Sequence, residues 1–406
     1  MAVPLTQDDF AALMAPLGPF GPQPLLVAGV SGGPHSLALA LLADGWARAQ
    51  GGSLLVVICD HGLRAESTAE AAGVAALLAG QGIAARVVPL RLCPGAGMQA
   101  RAREARLAAL LEVCADRGAP WLLLGHHRAD QAETVLLRGL AGSGPAGLAA
   151  MAPARAQGPA LVLRPLLGVA PARLEAVLAA RGIVPVRDPS NRDPRFERAR
   201  LRAALADPDG DGASTAALAE AASRLGARRA GFARDIAVRL AKASLLHEAG
   251  FARLDLPALG SDGVAAAALA LLIRVIGGGA HLPAAAAVAR LLAAGQGTLG
   301  GAVLRRSGLL LREEAALAPP VPAEGGALWD GRFRLEAAGP GLDLGPAGPA
   351  ARRLPRPAWM PAGVAPTLPA LLRNGELAVV PALAYPDATI AVCHALRFAP
   401  LAGPGA

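Results

Sequence analysis

The sequence predicts an α/β protein: a parallel sheet with helices on both faces, followed by a helical domain and a small mixed C-terminal domain. Three observations carry this expectation. From about residue 23 to 165, short apolar runs alternate with helical stretches, the pattern of βα units that assemble into a parallel sheet. From residue 214 the chain becomes alanine-rich and helical. Beyond about residue 295, short β-like pieces alternate with Gly/Pro-rich turns, and no repeat of fixed period runs through the chain.

Taken in order, the strands are LLVAGV (25–30), SLLVVICD (53–60), AARVVPL (84–90), PWLLLGH (120–126) and ALVLRPL (160–166). Helices are expected at 36–50, 66–82, 98–118, 130–140 and 171–182. Ligands on such sheets sit beyond the carboxyl ends of the strands, so chemistry is expected in the loops after Val30, Cys59 and Leu124. Residues 183–204 form a polar, arginine-rich connection, DPDGDGAST (207–215) reads as a linker, and 214–250 as a helical stretch, with helices continuing to about 295. VLRRSGLLLRE, LAVVPALAY and ATIAVCHAL supply the late strands. The domains are therefore expected at 1–208, 214–320 and 325–406.

Composition bounds the function. A chain of 406 residues is long enough for two or three cores. Hydrophobic residues make up 53%, but the excess is mostly alanine. The most apolar stretch, Val264 to Ala294, is broken by Arg274, Gly277, Pro283 and Arg290 before it reaches the roughly 18 uninterrupted residues of a membrane span. No membrane partner is expected. The opening MAVPLTQDDF lacks the basic and apolar regions of a secretory signal, so the chain is expected in the cytoplasm. Cys59, Cys93, Cys114 and Cys393 form no CxxC pair and read as reduced thiols. The net charge is +8, and Lys242 is the only lysine among 39 basic residues. This fits an acidic partner such as RNA, although an arginine bias also follows from base composition. Aromatic residues at 3% give little support for a base-stacking platform.

The first strand ends in Ser31-Gly32-Gly33-Pro34-His35-Ser36. Glycines between a strand and a helix let backbone amides approach an anion at the positive end of the helix. A Walker A loop would need Gly-Lys-Ser/Thr where Pro34-His35-Ser36 stands, and a Rossmann loop needs Gly-x-Gly-x-x-Gly. Gly29 to Gly33 also fits the Gly-x-Ser-x-Gly elbow of serine hydrolases, with Ser31 as nucleophile. The plainest alternative is a tight turn with Ser36 as helix N-cap.

SGGPHS resembles the SGGxDS pyrophosphate loop of the N-type ATP pyrophosphatases. Further motifs narrow the resemblance. DHGLR from Asp60, the arginine-rich QARAREAR (99–106), GHHRADQAET (125–134), the glycine loops at 139–148 and DPSN (188–191) followed by Phe196, Arg198 and Arg202 occur in this order. Thr298 to Gly301 and Arg312-Glu313 extend the similarity over most of the chain. Together they are similar to the elements of tRNA(Ile)-lysidine synthetases, whose fold is adenine nucleotide alpha hydrolase-like. That family uses ATP, with Mg²⁺ serving the triphosphate, to activate C2 of the cytidine at the first anticodon position of a tRNA(Ile) reading CAU. The amine of L-lysine then displaces AMP.

The resemblance implies roles residue by residue. Ser31, Gly32, Gly33, Pro34, His35 and Ser36 would hold the pyrophosphate, and Asp60 and His61 the nucleotide. Arg103 would meet negative charge at the reacting centre, His126 and Asp130 would handle cytidine and lysine, and Arg198 and Arg202 would face phosphate. Each has a plainer reading. Asp60-His61-Gly62 is ordinary loop chemistry, Arg103 and Arg106 make a solvated stripe, and Asp130 with Glu133, like Ser67 with Glu70, fits a capping box. His126, His127, Asp130 and Glu133 lack the His pair of a helical zinc site, and the metal ligands stay open. Arginines such as Arg305, Arg306, Arg352 and Arg353 would add sequence-blind contacts to the tRNA backbone.

Two departures stand out. His35 occupies the place of the family's loop aspartate, and Ala129-Asp130 that of its paired aspartates. Imidazole is a poor ligand for Mg²⁺, a hard cation that takes oxygen. A protonated His35 could instead pair with a phosphate oxygen. An active ligase and a tRNA-binding relative without catalysis therefore both stay open, as do a thiolating relative, a serine hydrolase at Ser31 and a homodimer.

Overall fold

The computed structural model describes residues 2–62, 67–90, 97–186, 200–201, 207, 209–337, 341–386 and 396–400. The chain divides into two compact units, Met1–Arg229 and Ala230–Ala406.

The first unit begins with α1 (Gln7–Met14), where Thr6 and Asp9 each accept the other's backbone N–H at 3.1 Å, a reciprocal cap. Then come β1 (Leu25–Val30), α2 (Pro34–Ala49), β2 (Ser53–Asp60), α3 (Ser67–Gly80), β3 (Ala84–Pro89), α4 (Met98–Arg117) and β4 (Trp121–Leu124). They are followed by α5 (Arg128–Leu140), α6 (Pro145–Leu148), β5 (Ala154–Gln157), β6 (Ala160–Leu163) and α7 (Pro171–Ala179). The sheet order is β3-β2-β1-β4-β6-β5, all parallel except the edge strand β5. The predicted parallel sheet is thus present. Sequence patterning did not suggest α1, α6 or β5, which are short and lack a run of alternating apolar residues.

Alternation along β1 explains why helices cover both faces. Leu26, Ala28 and Val30 pack with α2 residues such as Leu39 and Leu42, whereas Val27 points the other way against Leu110 and Val113 of α4. The chain runs outward from β1 through β2 to β3, then returns to place β4 on the other side of β1. The carboxyl ends of β1 and β4 therefore flank a topological switch point, where sheets of this kind open a crevice.

In the second unit an antiparallel sheet, ordered β7-β8-β11-β10-β9, comprises β7 (Ser244–His247), β8 (Phe251–Leu254), β9 (Gly297–Leu299), β10 (Ala302–Leu304) and β11 (Leu309–Arg312). Leu269, Ile273 and Ile276 of the helix Gly263–Gly277 share a core with this sheet. The β7–β8 hairpin interrupts the helices anticipated between 214 and 295. The helix Ala213–Ala243 ends where Ser244 Oγ bonds back to Leu240 O at 2.7 Å, and Gly250, at φ +77°, turns the chain. Further along, β12 (Val321–Pro322), β15 (Asp343–Pro346), β16 (Pro369–Arg373) and β17 (Glu376–Val379) form one small sheet. A second comprises β13 (Leu328–Trp329), β14 (Phe333–Leu335) and β18 (Leu396–Phe398).

Candidate active site

The glycine loop is built around its two serines. Ser31 N–H donates to Ser36 Oγ at 3.2 Å, Ser36 Oγ donates to Gly33 O at 3.0 Å, and the two hydroxyls are 3.3 Å apart. Gly33 is the N-cap of α2, so Ser36 braces the loop from the third helical position and is not the cap. Gly32 adopts φ +81°, and a Cβ there would lie 2.6 Å from Val74 Cγ2. Its carbonyl accepts the Val186 N–H at 3.0 Å. On Gly33, by contrast, a Cβ would meet only Ser31 Oγ, at 3.6 Å. One side of the loop is therefore open above the first-turn amides of α2, which have no intrahelical acceptors. The turn's left-handed residue is Gly32 and not Ser31. A nucleophile elbow strains the serine itself, so this geometry favours an anion cradle over a hydrolase.

The end of β4 abuts that loop. A Cβ on Gly125 would lie 3.1 Å from Ser36 Cα and 3.3 Å from His35 O, so only glycine fits there without displacing backbone. His127 then caps α5, and its backbone N–H donates to Asp130 Oδ2 at 3.0 Å. Asp130 is thus the third helical residue rather than the cap, which moves the anticipated Asp130–Glu133 box three residues earlier. His127 Nε2 lies 3.5 Å from the same carboxylate, and its ring meets His35 edge-on with centroids 4.0 Å apart. The fold therefore joins His35, His127 and Asp130 in one chain of contacts. Glu133 is fully buried one turn further along α5.

At the end of β2, the Asp60 carboxylate accepts from Ser67 Oγ at 2.7 Å, Thr68 Oγ1 at 2.6 Å and Gly62 N–H at 2.9 Å. Those bonds, the Thr68 hydroxyl foremost, hold its pKa below the usual carboxylate range. Ser67 thus serves Asp60 at the start of α3. His61 is held toward its neutral form by burial, aided by Arg106.

Helix α4 lays its arginines across these strand ends. Arg106 acts electrostatically on both His61 and His126. His126 is half-buried with Nδ1 shut off from solvent, and burial, opposed by Asp130 and reinforced by Arg164, Arg103 and Arg106, pulls it down to about 4. It is neutral at pH 7. Arg164, which the motif reading passed over, is the first residue after β6. Its position at the carboxyl end of a parallel strand was the available signal. The motif alone gives His127 no task, because its contact with His35 exists only in the fold.

Of the anticipated site residues, the structure brings together Ser31, Gly32, Gly33, Pro34, His35 and Ser36 with Asp130 through Gly125 and His127, and Arg103 with His126. Asp60 and His61 close the neighbouring strand end. Arg198 and Arg202, with Asp188 to Asn191, lie outside the described residues. Among the described residues, no three His, Cys, Asp or Glu side chains converge on a metal position, and no helix is long and apolar enough to cross a membrane.

An anion cradle at the switch point of a parallel sheet, flanked by arginines, defines the class, and a family model for the PP-loop domain matches residues 5–208. A tRNA(Ile)-lysidine synthase from Bradyrhizobium sp. strain BTAi1 is 41% identical over 56% of this chain and 63% of that one. One from Methylobacterium sp. strain 4-46 is 42% identical over 68% of this chain and 79% of that one. One from Methylobacterium nodulans is 39% identical over 80% of this chain and 99% of its own length. The chain belongs to the tRNA(Ile)-lysidine synthase family of PP-loop proteins. With the Bradyrhizobium sp. strain BTAi1 protein and three further tRNA(Ile)-lysidine synthases, the match spans only 57 to 63% of their length.

Proposed function

We propose that this protein ligates lysine to C2 of the cytidine at the first anticodon position of a tRNA(Ile) reading CAU. The single observation that carries the reading is the open glycine cradle at the end of β1, joined through Gly125 to the His126–Asp130 element. One face of this arrangement can hold the phosphates of ATP while the other receives the base and the amine. In the first step the C2 oxygen bonds to the α-phosphorus and pyrophosphate leaves. In the second the lysine amine bonds to C2, and AMP departs with that oxygen while the amine loses a proton.

Amides of Gly32 and Gly33 would stabilise the charge that develops on pyrophosphate, while Ser31 and Ser36, bonded to each other and to Gly33 O, would hold the loop in that shape. Pro34 fixes the start of α2, and His35, in the place of the family's aspartate, packs its ring against His127 with Nε2 closed off from solvent. Asp60 and His61 would border the nucleoside. Neutral His126 can accept a hydrogen bond from the incoming amine, and Asp130, held by His127, keeps that element in register. Arg103 would offset negative charge on the reacting phosphate, and Arg198 and Arg202 would face phosphate from the arginine-rich connection. For Mg²⁺ the described side chains offer no ready ligand set: three donors already engage the Asp60 carboxylate, and His127 engages Asp130. Mg²⁺ would enter as the counter-ion of ATP.

The same reading assigns 1–208 to the synthetase domain, 214–320 to a mainly helical tRNA-contacting domain and 325–406 to a small C-terminal domain, working in the cytoplasm. His35 favours one rival, a relative that binds tRNA without turnover. Release of AMP and pyrophosphate from ATP separates the two. The ligase releases pyrophosphate when tRNA(Ile) is present, and AMP only when lysine is present as well. Binding of tRNA without such release would leave the rival standing.

A further inference from the structure

We infer that Arg164 and Arg103 together bind a phosphoryl group over the carboxyl ends of β4 and β6, with Arg164 as the fixed member of the pair. The inference rests on the proposed ligase reading, and it concerns a residue that no motif pointed to.

Register sets the position. Leu163 of β6 lies opposite Leu123 of β4, so Arg164 stands beside the residues that lead into Gly125 and His126. The chain then pins it from behind: Arg164 N–H donates to Pro153 O at 2.8 Å, and Nη1 donates to Ala152 O at 3.0 Å. Its Nε is closed off from solvent and has no hydrogen-bond partner among the described residues. The charged groups that act on it are Arg103 and Arg155, both cations, and with burial they lower its pKa only to about 10. It therefore remains charged at pH 7. Its influence reaches the neighbouring His126, which Arg103 also affects.

Like charges gathered around a half-buried guanidinium oppose folding. A guanidinium held through Nη1, with no hydrogen bond at Nη2 among the described residues, is prepared for an anion, and phosphoryl oxygens suit that fork. The strand order β1-β4-β6 separates Arg164 from the glycine loop by two strand spacings, about 10 Å. The anion is consequently distinct from the pyrophosphate held at the loop. It is a phosphoryl group either on the nucleotide's α-position or in the RNA backbone beside the reacting nucleotide.

The test uses the full chain with Arg164→Gln, which removes the charge but keeps a donor for Ala152 O, and Arg164→Lys, which keeps the charge. ATP and AMP affinities are measured, together with tRNA(Ile) affinity over a series of salt concentrations. Arg164→Gln is expected to weaken one class of ligand at least about tenfold, with partial recovery in Arg164→Lys. A loss confined to ATP and AMP identifies the nucleotide. A tRNA salt slope reduced by about one, with ATP unaffected, identifies an RNA phosphate. Unchanged affinities and slope in Arg164→Gln overturn the inference. If that variant does not fold, phenylglyoxal labelling of Arg164 in the native protein serves instead: protection by ATP or tRNA supports the site, and labelling indifferent to both overturns it. A native protein that binds neither ATP nor tRNA removes the ligase reading itself, a different failure from native binding that ignores Arg164.

Discussion

Gly32 and His126 illustrate two ways in which a single residue sets this site. Gly32 is the left-handed residue of the cradle and has Val74 directly behind it. Gly32→Ala is expected to cost about 1–2 kcal/mol in backbone strain alone, with the 2.6 Å contact adding to it, and to abolish ATP binding. Thermal unfolding and nucleotide titration check both. His126 is depressed to about 4 by burial, against 6.5 for an ordinary histidine. Above pH 6.5 neither folded nor unfolded chain carries the proton. As pH falls from there toward 4, the unfolded chain takes it up and the folded chain resists, so stability is lost over that window. His126→Asn is expected to remove this loss, at most on the order of 3 kcal/mol, seen as a flatter stability curve between pH 7 and 4. Unequal sensitivity in the other direction, with the variant losing more, would contradict a neutral His126. The motifs made Gly32 and His126 legible in the sequence. Arg164 and the His35–His127 contact were not, because they depend on which strand ends become neighbours.

Among the elements, the strands of the first unit were the easiest to read, since β1, β2, β4 and β6 are buried on both faces and form apolar runs. Capping was harder. Asp60 engages Ser67 and Thr68 across a turn, and His127 caps α5 although histidine is not a favoured cap. The β7–β8 hairpin was missed because its sequence continues the apolar, alanine-rich pattern of the helix before it. A stabilising element that no motif signalled lies in the second unit. Asp330, buried and at φ +53°, accepts from Arg312 Nε at 2.9 Å and Nη2 at 2.7 Å, and from Arg332 Nε at 2.8 Å. Burial alone would raise the Asp330 pKa, but the two guanidinium groups outweigh it and hold the carboxylate ionised. This ties the end of β11 to the β13–β14 turn. Asp330→Ala strands two buried cations and is expected to destabilise the second unit by about 3–5 kcal/mol, measurable by denaturant unfolding. A loss below about 1 kcal/mol, the range of exposed pairs, would show that the network contributes little.

For the whole molecule, family membership, the ATP cradle and an excess of arginine converge on one account of the activity. A net charge of +8, carried almost entirely by guanidinium groups, would suit the proposed polyanionic substrate and would make its binding sensitive to salt. His35 is the point on which the account turns, because it replaces a carboxylate in the phosphate loop. The most direct measurement is incorporation of labelled lysine into a tRNA(Ile) transcript with a CAU anticodon, with ATP and Mg²⁺ supplied, for the native protein beside His35→Asp. The account predicts incorporation by the native protein, dependent on ATP and absent from a transcript lacking that cytidine. Bound tRNA without incorporated lysine in the native protein, whether or not His35→Asp is active, would contradict it.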